Sequence, residues 1–494
     1  MKSSHIIGIQ KRFLLGIALV LCTISYCFDA FAAVADQYLS GSEFLIKDVT
    51  VIDGMGNVEK PHQDIFISNG KIVSILPSGQ EQPNNTMIVI DGKGLTAMPG
   101  LVDSHIHIRS EWHGGVVLSD KYPQNNTFNQ LQQTYAAYLY AGVTTVFDVG
   151  DPTDFAVGER EKIRRGEYIG PRMFTTGMPF SQHPSGWDGA TLAENPGKTL
   201  DDIEDLLSVK IDTDDFEALS KKLDSYVEKD IEIIKIYTGA SSHGTTFLMK
   251  AAKERNIRAV ADLWQMNMAR PFLQMTGVDG WAHATPFGVS EKDMKWMAEN
   301  DRFVIATAVL GEVMSGLRFK EDKEQRFFED PLVVDIWGKD VVKDFYETYP
   351  EVREVMYDGP SAFYQLNNFG YLEPFRERFL ENIKLAHDMD VLVAGGSDSP
   401  AYPALWAGES MHRELELMVM AGLSPLDAIK VCTYNGAKVL QREEVFGSLQ
   451  AGLLADIILV KGKPWVNISD SRNIQYTFLR GQLLDRKKLL TSWK

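Results

Sequence analysis

The chain has 494 residues, of which 44% are hydrophobic and 24% are charged, and this composition excludes disorder for most of its length. Its formal net charge of -17 argues against nucleic acid or an anionic membrane surface as the main partner, because phosphate groups attract basic proteins. These properties predict a globular protein with one large domain or two ordinary ones.

Residues 1–32 have the pattern of a secretory signal peptide. Three basic residues within the first 12 positions precede an apolar run at 13–28, and small residues follow directly. This order predicts cleavage after Ala32 or Ala33 and a periplasmic or secreted protein with no stable membrane anchor, the alternative being an uncleaved anchor. After cleavage Cys432 would be the only cysteine, which excludes an internal disulfide and thiolate metal ligands.

Strand-like segments separated by turn signals occur at both ends of the remaining chain. Between 43 and 98, apolar stretches are interrupted by Asp-Gly and Asn-Gly dipeptides, which are hairpin signals. Similar strand-like apolar stretches occur again after residue 447. Because a few short strands at either end bury little surface alone, we expect residues 33–98 and 447–494 to form one small composite β-sandwich domain.

Apolar strand-like runs alternate with helical patterns between these ends. The eight runs lie at 101–107, 142–150, 172–177, 231–237, 257–262, 280–283, 303–307 and 391–398. Strand–helix alternation indicates a parallel sheet, and eight repeats predict an α/β fold with a closed (β/α)8 TIM barrel over residues 99–446. In such a barrel the chemistry takes place at the carboxyl ends of the strands.

A long segment at 312–380 separates the seventh and eighth runs. It is rich in charged and aromatic residues, and Tyr349-Pro350 and Gly359-Pro360 interrupt it. Loops on the active face of a barrel often carry function, so we interpret this insertion as a lid or substrate wall, with a plain surface excursion as the alternative.

His105 and His107 end the first barrel run. The two-residue period of a strand points both imidazoles to one face, where two neutral rings form half of a metal site. A hydrogen-bonded pair of core histidines is the alternative. Four further polar side chains stand at or near the ends of other runs: Lys235, Asp262, His283 and Asp398.

Five ordered segments carry a family resemblance. They begin with Met98-Pro-Gly-Leu-Val-Asp-Ser-His-Ile-His and continue at 141–148, 277–283, 395–399 and 447–460. Together they resemble the metal-dependent amidohydrolase superfamily, and within it the branch of imidazolonepropionase-like and Xaa-Pro dipeptidase-like enzymes. The resemblance covers nearly the whole chain after the signal peptide.

The resemblance implies a hydrolase with one or two divalent metal ions. His105 and His107 would hold one ion, for which zinc is the best match and iron or manganese are alternatives. Lys235 occupies the fourth-strand position where such enzymes often carry a CO2-modified lysine that bridges two metals; an ordinary ion-paired lysine is the alternative. His283 matches the sixth-strand ligand. Asp398 matches the carboxylate that contacts the metal and moves a proton from water to the leaving group.

Asp262 departs from the family pattern, which places a histidine ligand at the end of the fifth strand. No histidine occurs between His243 and His283. Asp262 could still bind a second metal through its carboxylate. Equally, it could pair with an unmodified Lys235 and leave a single metal elsewhere. Both arrangements balance the charges, and the sequence leaves them open.

The substrate is expected to be a small molecule with an amide bond, such as a dipeptide, an N-acyl amino acid or a cyclic amide. His183 follows the third strand where related dipeptidases have a substrate loop, and Tyr237 shares the inward face with Lys235, so both are candidate substrate contacts. Two alternatives stay open: a non-catalytic ligand-binding relative, and a deaminase or cyclic-imide hydrolase of the same fold. A homo-oligomer is compatible with the sequence.

Overall fold

The computed structural model describes residues 43–81, 83–85, 87–108, 127–182, 208–237, 239–263, 269–284, 287–315, 329–343, 374–401 and 404–491. The signal-peptide prediction at 1–32, the substrate candidate His183 and most of the 312–380 insertion lie outside these ranges. Among the helices that are described, none is both long and apolar enough to cross a membrane.

Eighteen strands occur in the described part of the chain. In chain order they are β1 (Glu43–Val51), β2 (Lys60–Ser68), β3 (Lys71–Pro77), β4 (Met87–Asp91), β5 (Leu95–Pro99), β6 (Leu101–Ile106), β7 (Val143–Asp148), β8 (Arg172–Thr175), β9 (Phe180–Ser181), β10 (Val209–Lys210), β11 (Ile233–Ile236), β12 (Arg258–Ala261), β13 (Gly280–Ala282), β14 (Phe303–Ile305), β15 (Leu392–Ala394), β16 (Ile457–Lys461), β17 (Ile474–Leu479) and β18 (Gln482–Leu483).

Thirteen α-helices are described between and after these strands. They are α1 (Thr127–Tyr140), α2 (Thr153–Arg164), α3 (Phe216–Glu228), α4 (Ser242–Lys253), α5 (Ala269–Thr276), α6 (Glu291–Glu299), α7 (Ala308–Met314), α8 (Pro331–Trp337), α9 (Pro374–Asp388), α10 (Glu409–Met420), α11 (Pro425–Val431), α12 (Tyr434–Val439) and α13 (Arg486–Leu489). A short 3-10 helix spans Ile468–Arg472.

The two ends of the chain combine into one β domain, as the sequence predicts. Its eight strands form one hydrogen-bonded sheet in the order β18-β17-β16-β5-β1-β2-β3, with β4 added beside β1. Strand β16 pairs antiparallel with β5 through the register Leu459 to Ala97, which joins the carboxyl-terminal segment to the amino-terminal one. Apolar side chains from both segments share one core, which includes Ile46, Ile65 and Phe478.

The predicted (β/α)8 barrel is confirmed. Strands β6, β7 and β8 form one parallel arc, and β11 to β15 form the other, extended by the short β9 and β10. Backbone hydrogen bonds join β6 to the segment after β15, from Ser104 N to Gly395 O at 3.0 Å and from Asp398 N to His105 O at 2.7 Å. These bonds bring the ends of the first and eighth strands together.

The described part of the insertion packs on the outside of the barrel. Helix α8 begins after Asp330, whose side chain accepts from Leu332 N and whose other oxygen pairs with Arg472 at 2.8 Å. Its far end is held by α1, where Gln133 Nε2 donates to Ile336 O at 2.8 Å. The lid interpretation of the remaining insertion stays a prediction.

A buried ion pair fastens the barrel to the β domain. Arg172 in β8 lies 2.7 Å from Asp456, the residue before β16, and the side chains are 11% and 3% exposed. The guanidinium also stacks over the ring of Phe446 at 4.4 Å. Because Asp456 additionally accepts from Arg480 N at 2.7 Å, its carboxylate holds three segments in one place.

Replacing Arg172 should therefore destabilise the protein strongly. Arg172→Met leaves the Asp456 carboxylate buried without its cation, and we expect a loss of about 3 kcal/mol in the free energy of unfolding, measured by urea denaturation. The double variant Arg172→Met/Asp456→Asn should recover part of that loss. The exposed pair Arg378–Glu381 provides the control, since Arg378→Met should change stability by less than about 0.5 kcal/mol. Equal effects at both arginines would contradict the prediction.

Candidate metal centre

Asp398 lies against both histidines of the first strand. Its Oδ1 is 3.4 Å from His105 Nε2 and 3.3 Å from His107 Nε2. Asp398 follows β15 in the left-handed backbone region, with φ of 57°, a conformation that costs about 1–2 kcal/mol for a residue with a Cβ. Such strain at a residue that aims its side chain into a cluster is typical of functional sites.

The three side chains fit a divalent cation. One ligand atom from each of His105, His107 and Asp398 lies within 4.8 Å of the others, and all three residues are buried. Among the described residues neither ring nitrogen of His105 has a hydrogen-bond partner, which is costly for a buried polar group unless something else binds it. Burial lowers the pKa of His105 well below its usual value, and the charges of His283 and Lys235 lower it further. The ring is therefore a neutral imidazole, the form that binds metals.

Lys235, Asp262 and His283 form the neighbouring half of the cluster. Asp262 Oδ2 is 2.8 Å from Lys235 Nζ and 3.3 Å from His283 Nε2. Burial alone would raise the pKa of Asp262, but Lys235 and His283 outweigh it and hold that pKa below its usual range. The carboxylate is thus ionised and neutralises the buried lysine. The ring of His105 lies 4.4 Å from that of His283, so the two halves are continuous.

Thr307 and Glu414 orient His283, and sequence reasoning missed this role for both. Thr307 Oγ1 is 2.8 Å from His283 Nδ1, which leaves Nε2 pointing toward Asp262. Thr307 has a φ of 49°, and the turn after it is held by the buried Glu414, whose carboxylate accepts from Ala308 N and Val309 N at 2.9 and 2.8 Å. Partners of this kind fix the ring orientation of metal-binding histidines.

A second group of carboxylates lies behind His107. Asp148 ends β7, Asp151 follows it, and both are buried within ligand distance of His107. Burial raises the pKa of Asp148 well above its usual value, and the adjacent Asp151 raises it further. Asp151 accepts from Ile108 N at 2.8 Å, so it also fixes the backbone just after His107. Asp148 ends the segment 141–148 that carries part of the family resemblance, but the sequence did not predict that Asp148 and Asp151 lie beside His107.

The other candidates fall in different places. The ring of Tyr237 lies 4.9 Å from Lys235 Nζ and is half-buried, so it faces the cluster as the strand period predicts. His243 is exposed near the start of α4 and lies outside the cluster. The structure therefore brings together six of the eight predicted site residues and Tyr237 beside them; His183 lies outside the described residues.

The barrel thus carries a buried cluster of histidine and carboxylate side chains that could bind a metal ion at the carboxyl ends of its strands. The chain belongs to the amidohydrolase family, whose family model matches residues 96–267 and 366–484, more than half of the chain. Members of this family are hydrolytic enzymes that use divalent metal ions, and the histidine and aspartate groups described above could bind one.

Curated relatives match only a short part of the chain. A dihydroorotase of Elusimicrobium minutum is 41% identical over 73 residues, which is 15% of this chain and 16% of that protein. The chain spans 14% to 16% of the length of the three dihydroorotases that it matches.

Solved structures show the same fold along most of the chain. A Xaa-Pro dipeptidase with bound methionine in its active site has a TM-score of 0.67 and 21% identity, covering 90% of this chain and 100% of that one. Molinate hydrolase has a TM-score of 0.67 and 18% identity, covering 91% of this chain and 96% of that one.

Proposed function

We propose that this protein is an exported hydrolase that uses a divalent cation, with zinc as the best match, to cleave amide bonds in small peptide-like substrates. Dipeptides, N-acyl amino acids and cyclic amides are the substrate classes. The observation that carries the proposal is the buried set of His105, His107 and Asp398, which converges at the carboxyl ends of β6 and β15. The similarity in fold to a Xaa-Pro dipeptidase supports the dipeptide class.

The side chains have distinct parts in this reaction. A divalent cation held by His105, His107 and Asp398 would polarise the scissile carbonyl and make the attacking water more acidic. Asp398 takes the proton from that water while the water oxygen attacks the carbonyl carbon. When the C–N bond breaks, Asp398 delivers the proton to the leaving nitrogen, so the products are a carboxylate and an amine. Tyr237 faces the same space and would contact the substrate.

We further propose that one cation suffices. His105, Asp262 and His283 form a second group of possible ligands, but an ion there would compete for the Asp262 carboxylate with Lys235, whose Nζ lies at 2.8 Å. The pair thus removes the charge that would otherwise attract a second ion. His283 Nε2 lies 3.3 Å from the same carboxylate oxygen of Asp262.

Metal analysis tests the number of ions. Protein loaded with Zn²⁺ and desalted should retain one ion per chain, measured by plasma mass spectrometry. His107→Asn should lose it, because a site of three ligands becomes a site of two. His62→Asn is the matched control: His62 is exposed in β2 with φ of 55°, where asparagine is tolerated. Two ions per chain would contradict the single-ion arrangement, and no ion together with no hydrolysis would contradict the enzyme.

Asp398→Asn should abolish most of the hydrolysis. The amide cannot take up the proton, so kcat on a cleaved dipeptide should fall by about 10²–10⁴-fold, measured by release of free amino acid. Asp388→Asn serves as the control, because Asp388 lies at the exposed end of α9 and pairs with Lys384. A variant Asp398→Asn with wild-type kcat would remove Asp398 from the mechanism.

A second substrate class has its own support. The local identity to dihydroorotases favours a cyclic amide, which needs the same attack on a carbonyl but releases one ring-opened product. Parallel assays with Xaa-Pro dipeptides and with dihydroorotate separate the two classes. Turnover of dihydroorotate alone would replace the dipeptide proposal.

Export is the remaining part of the proposal, and the sequence of residues 1–32 supports it. Expression of the full chain in a bacterium should yield a periplasmic protein that begins at Ala33 or Val34, measured by intact mass. A cytoplasmic protein that retains residues 1–32 would contradict export without affecting the proposed chemistry.

A further inference from the structure

A line of buried hydroxyl groups leads from helix α1 to the back of the candidate metal centre. Tyr138 Oη lies 2.9 Å from Ser399 Oγ and 3.0 Å from the Ser399 carbonyl oxygen. Ser399 Oγ lies 2.7 Å from Ser397 Oγ, which lies 2.5 Å from Asp103 Oδ2. All four side chains are fully buried. Among the described residues, none of the four belongs to a histidine and carboxylate group that could hold a metal ion.

The hydrogen bonds link the members of this line through their side chains and through one carbonyl oxygen. Ser397 Oγ contacts Asp103 Oδ2 and also accepts from Ser399 N at 3.1 Å. Tyr138 donates to the Ser399 carbonyl oxygen, and between the hydroxyl oxygens of Tyr138 and Ser399 either group can be the donor. Burial raises the pKa of Tyr138 well above its usual value, so the phenol keeps its proton. Each member of the line is thus hydrogen-bonded to the next, so the loss of one hydroxyl disturbs the others as well.

Asp103 joins this line to the backbone on both sides of the site. Its Oδ1 accepts from Ser397 N at 2.8 Å and from His105 N at 3.3 Å. Asp103 thus holds the backbone N–H of His105 itself and that of Ser397, the residue before Asp398. A shift of the 397–399 segment would change the distance of 3.4 Å between Asp398 and His105.

We propose that the line Tyr138–Ser399–Ser397–Asp103 is a positioning device that sets the geometry of His105 and Asp398 for the metal ion. This rests on the proposed function, since it requires that His105 and Asp398 bind the ion. Tyr138 is the informative member, because it comes from an outer helix and acts only through Ser399. Asp398 has a left-handed backbone conformation, which persists only when its surroundings enforce it, and both of its neighbours belong to the line.

Metal affinity measures this positioning without any substrate. Co²⁺ binding by wild type and by Tyr138→Phe would be compared at pH 8, by competition with a chelator and by the visible spectrum of the bound ion. The phenylalanine keeps the ring in place but removes the donor. We expect the affinity for Co²⁺ to fall by about 10- to 100-fold, with a changed spectrum. Ser397→Ala should have at least as large an effect, and it provides the same comparison should Tyr138→Phe fail to fold.

Tyr135→Phe is the matched control. Tyr135 is a fully buried tyrosine in the same helix, and its hydroxyl donates to Glu159 at 3.1 Å rather than toward the site. It should lose similar stability but bind Co²⁺ as wild type does. The double variant Tyr138→Phe/Ser397→Ala should bind no more weakly than Ser397→Ala, because the line is already broken.

The outcomes separate this proposal from the function on which it rests. Equal Co²⁺ affinity in wild type and Tyr138→Phe would overturn the positioning role while leaving the enzyme intact. A similar loss in Tyr135→Phe would also overturn it, since general loosening of α1 would then explain the effect. A wild-type protein that binds no Co²⁺ would overturn the metal centre itself.

Discussion

A set of carboxyl groups buried at the carboxyl end of the barrel is the constraint on which the rest of the structure depends. Asp103, Asp148, Asp262 and Asp398 are between 0% and 3% exposed, and Lys235 is the one lysine or arginine placed among them in the part of the chain described. Removing ionised carboxylates from water costs several kcal/mol each unless they are paired. Lys235 pairs with Asp262, and Asp103 is hydrogen-bonded to the hydroxyl and the backbone N–H of Ser397. Asp398 faces the imidazoles of His105 and His107. A cation bound by these three side chains would neutralise its carboxylate.

Barrel closure provides the geometry that this cluster requires. The bonds between β6 and the segment after β15 place Asp398 opposite His105 and His107, although nearly 300 residues separate them along the chain. Because β-strand backbones are rigid, the ligand atoms are held before any ion or substrate arrives, and little reorganisation is required at the moment of reaction. The left-handed conformations of His283, Thr307 and Asp398 lie where the chain leaves a strand, so each strand end turns its side chain inward.

Sequence reasoning found the parts of the site that have a local pattern. Apolar runs ending in a polar residue gave the strands, and the two-residue period gave the pairing of His105 with His107. Thr307 and Tyr138 have no such pattern, because their roles depend on contacts across 24 and 261 residues and on hydroxyl directions that only the folded chain fixes. The same holds for the insertion at 312–380. The sequence shows how long it is, but the packing of α8 on α1 depends on complementary surfaces that form only in the folded chain.

The departure at Asp262 is a coupled electrostatic change and not a simple loss. A histidine at this position would be neutral and would leave Lys235 as an uncompensated buried cation, which favours modification of the lysine to an anionic carbamate and, with it, a second metal. An aspartate supplies the negative charge directly, at 2.8 Å from the ammonium, so the lysine can stay unmodified. The substitution thus exchanges one way of neutralising the site for another while His105, His107 and Asp398 remain available for the first ion. Under the single-cation arrangement proposed above, a family member with aspartate on the fifth strand and lysine on the fourth would keep its hydrolytic chemistry.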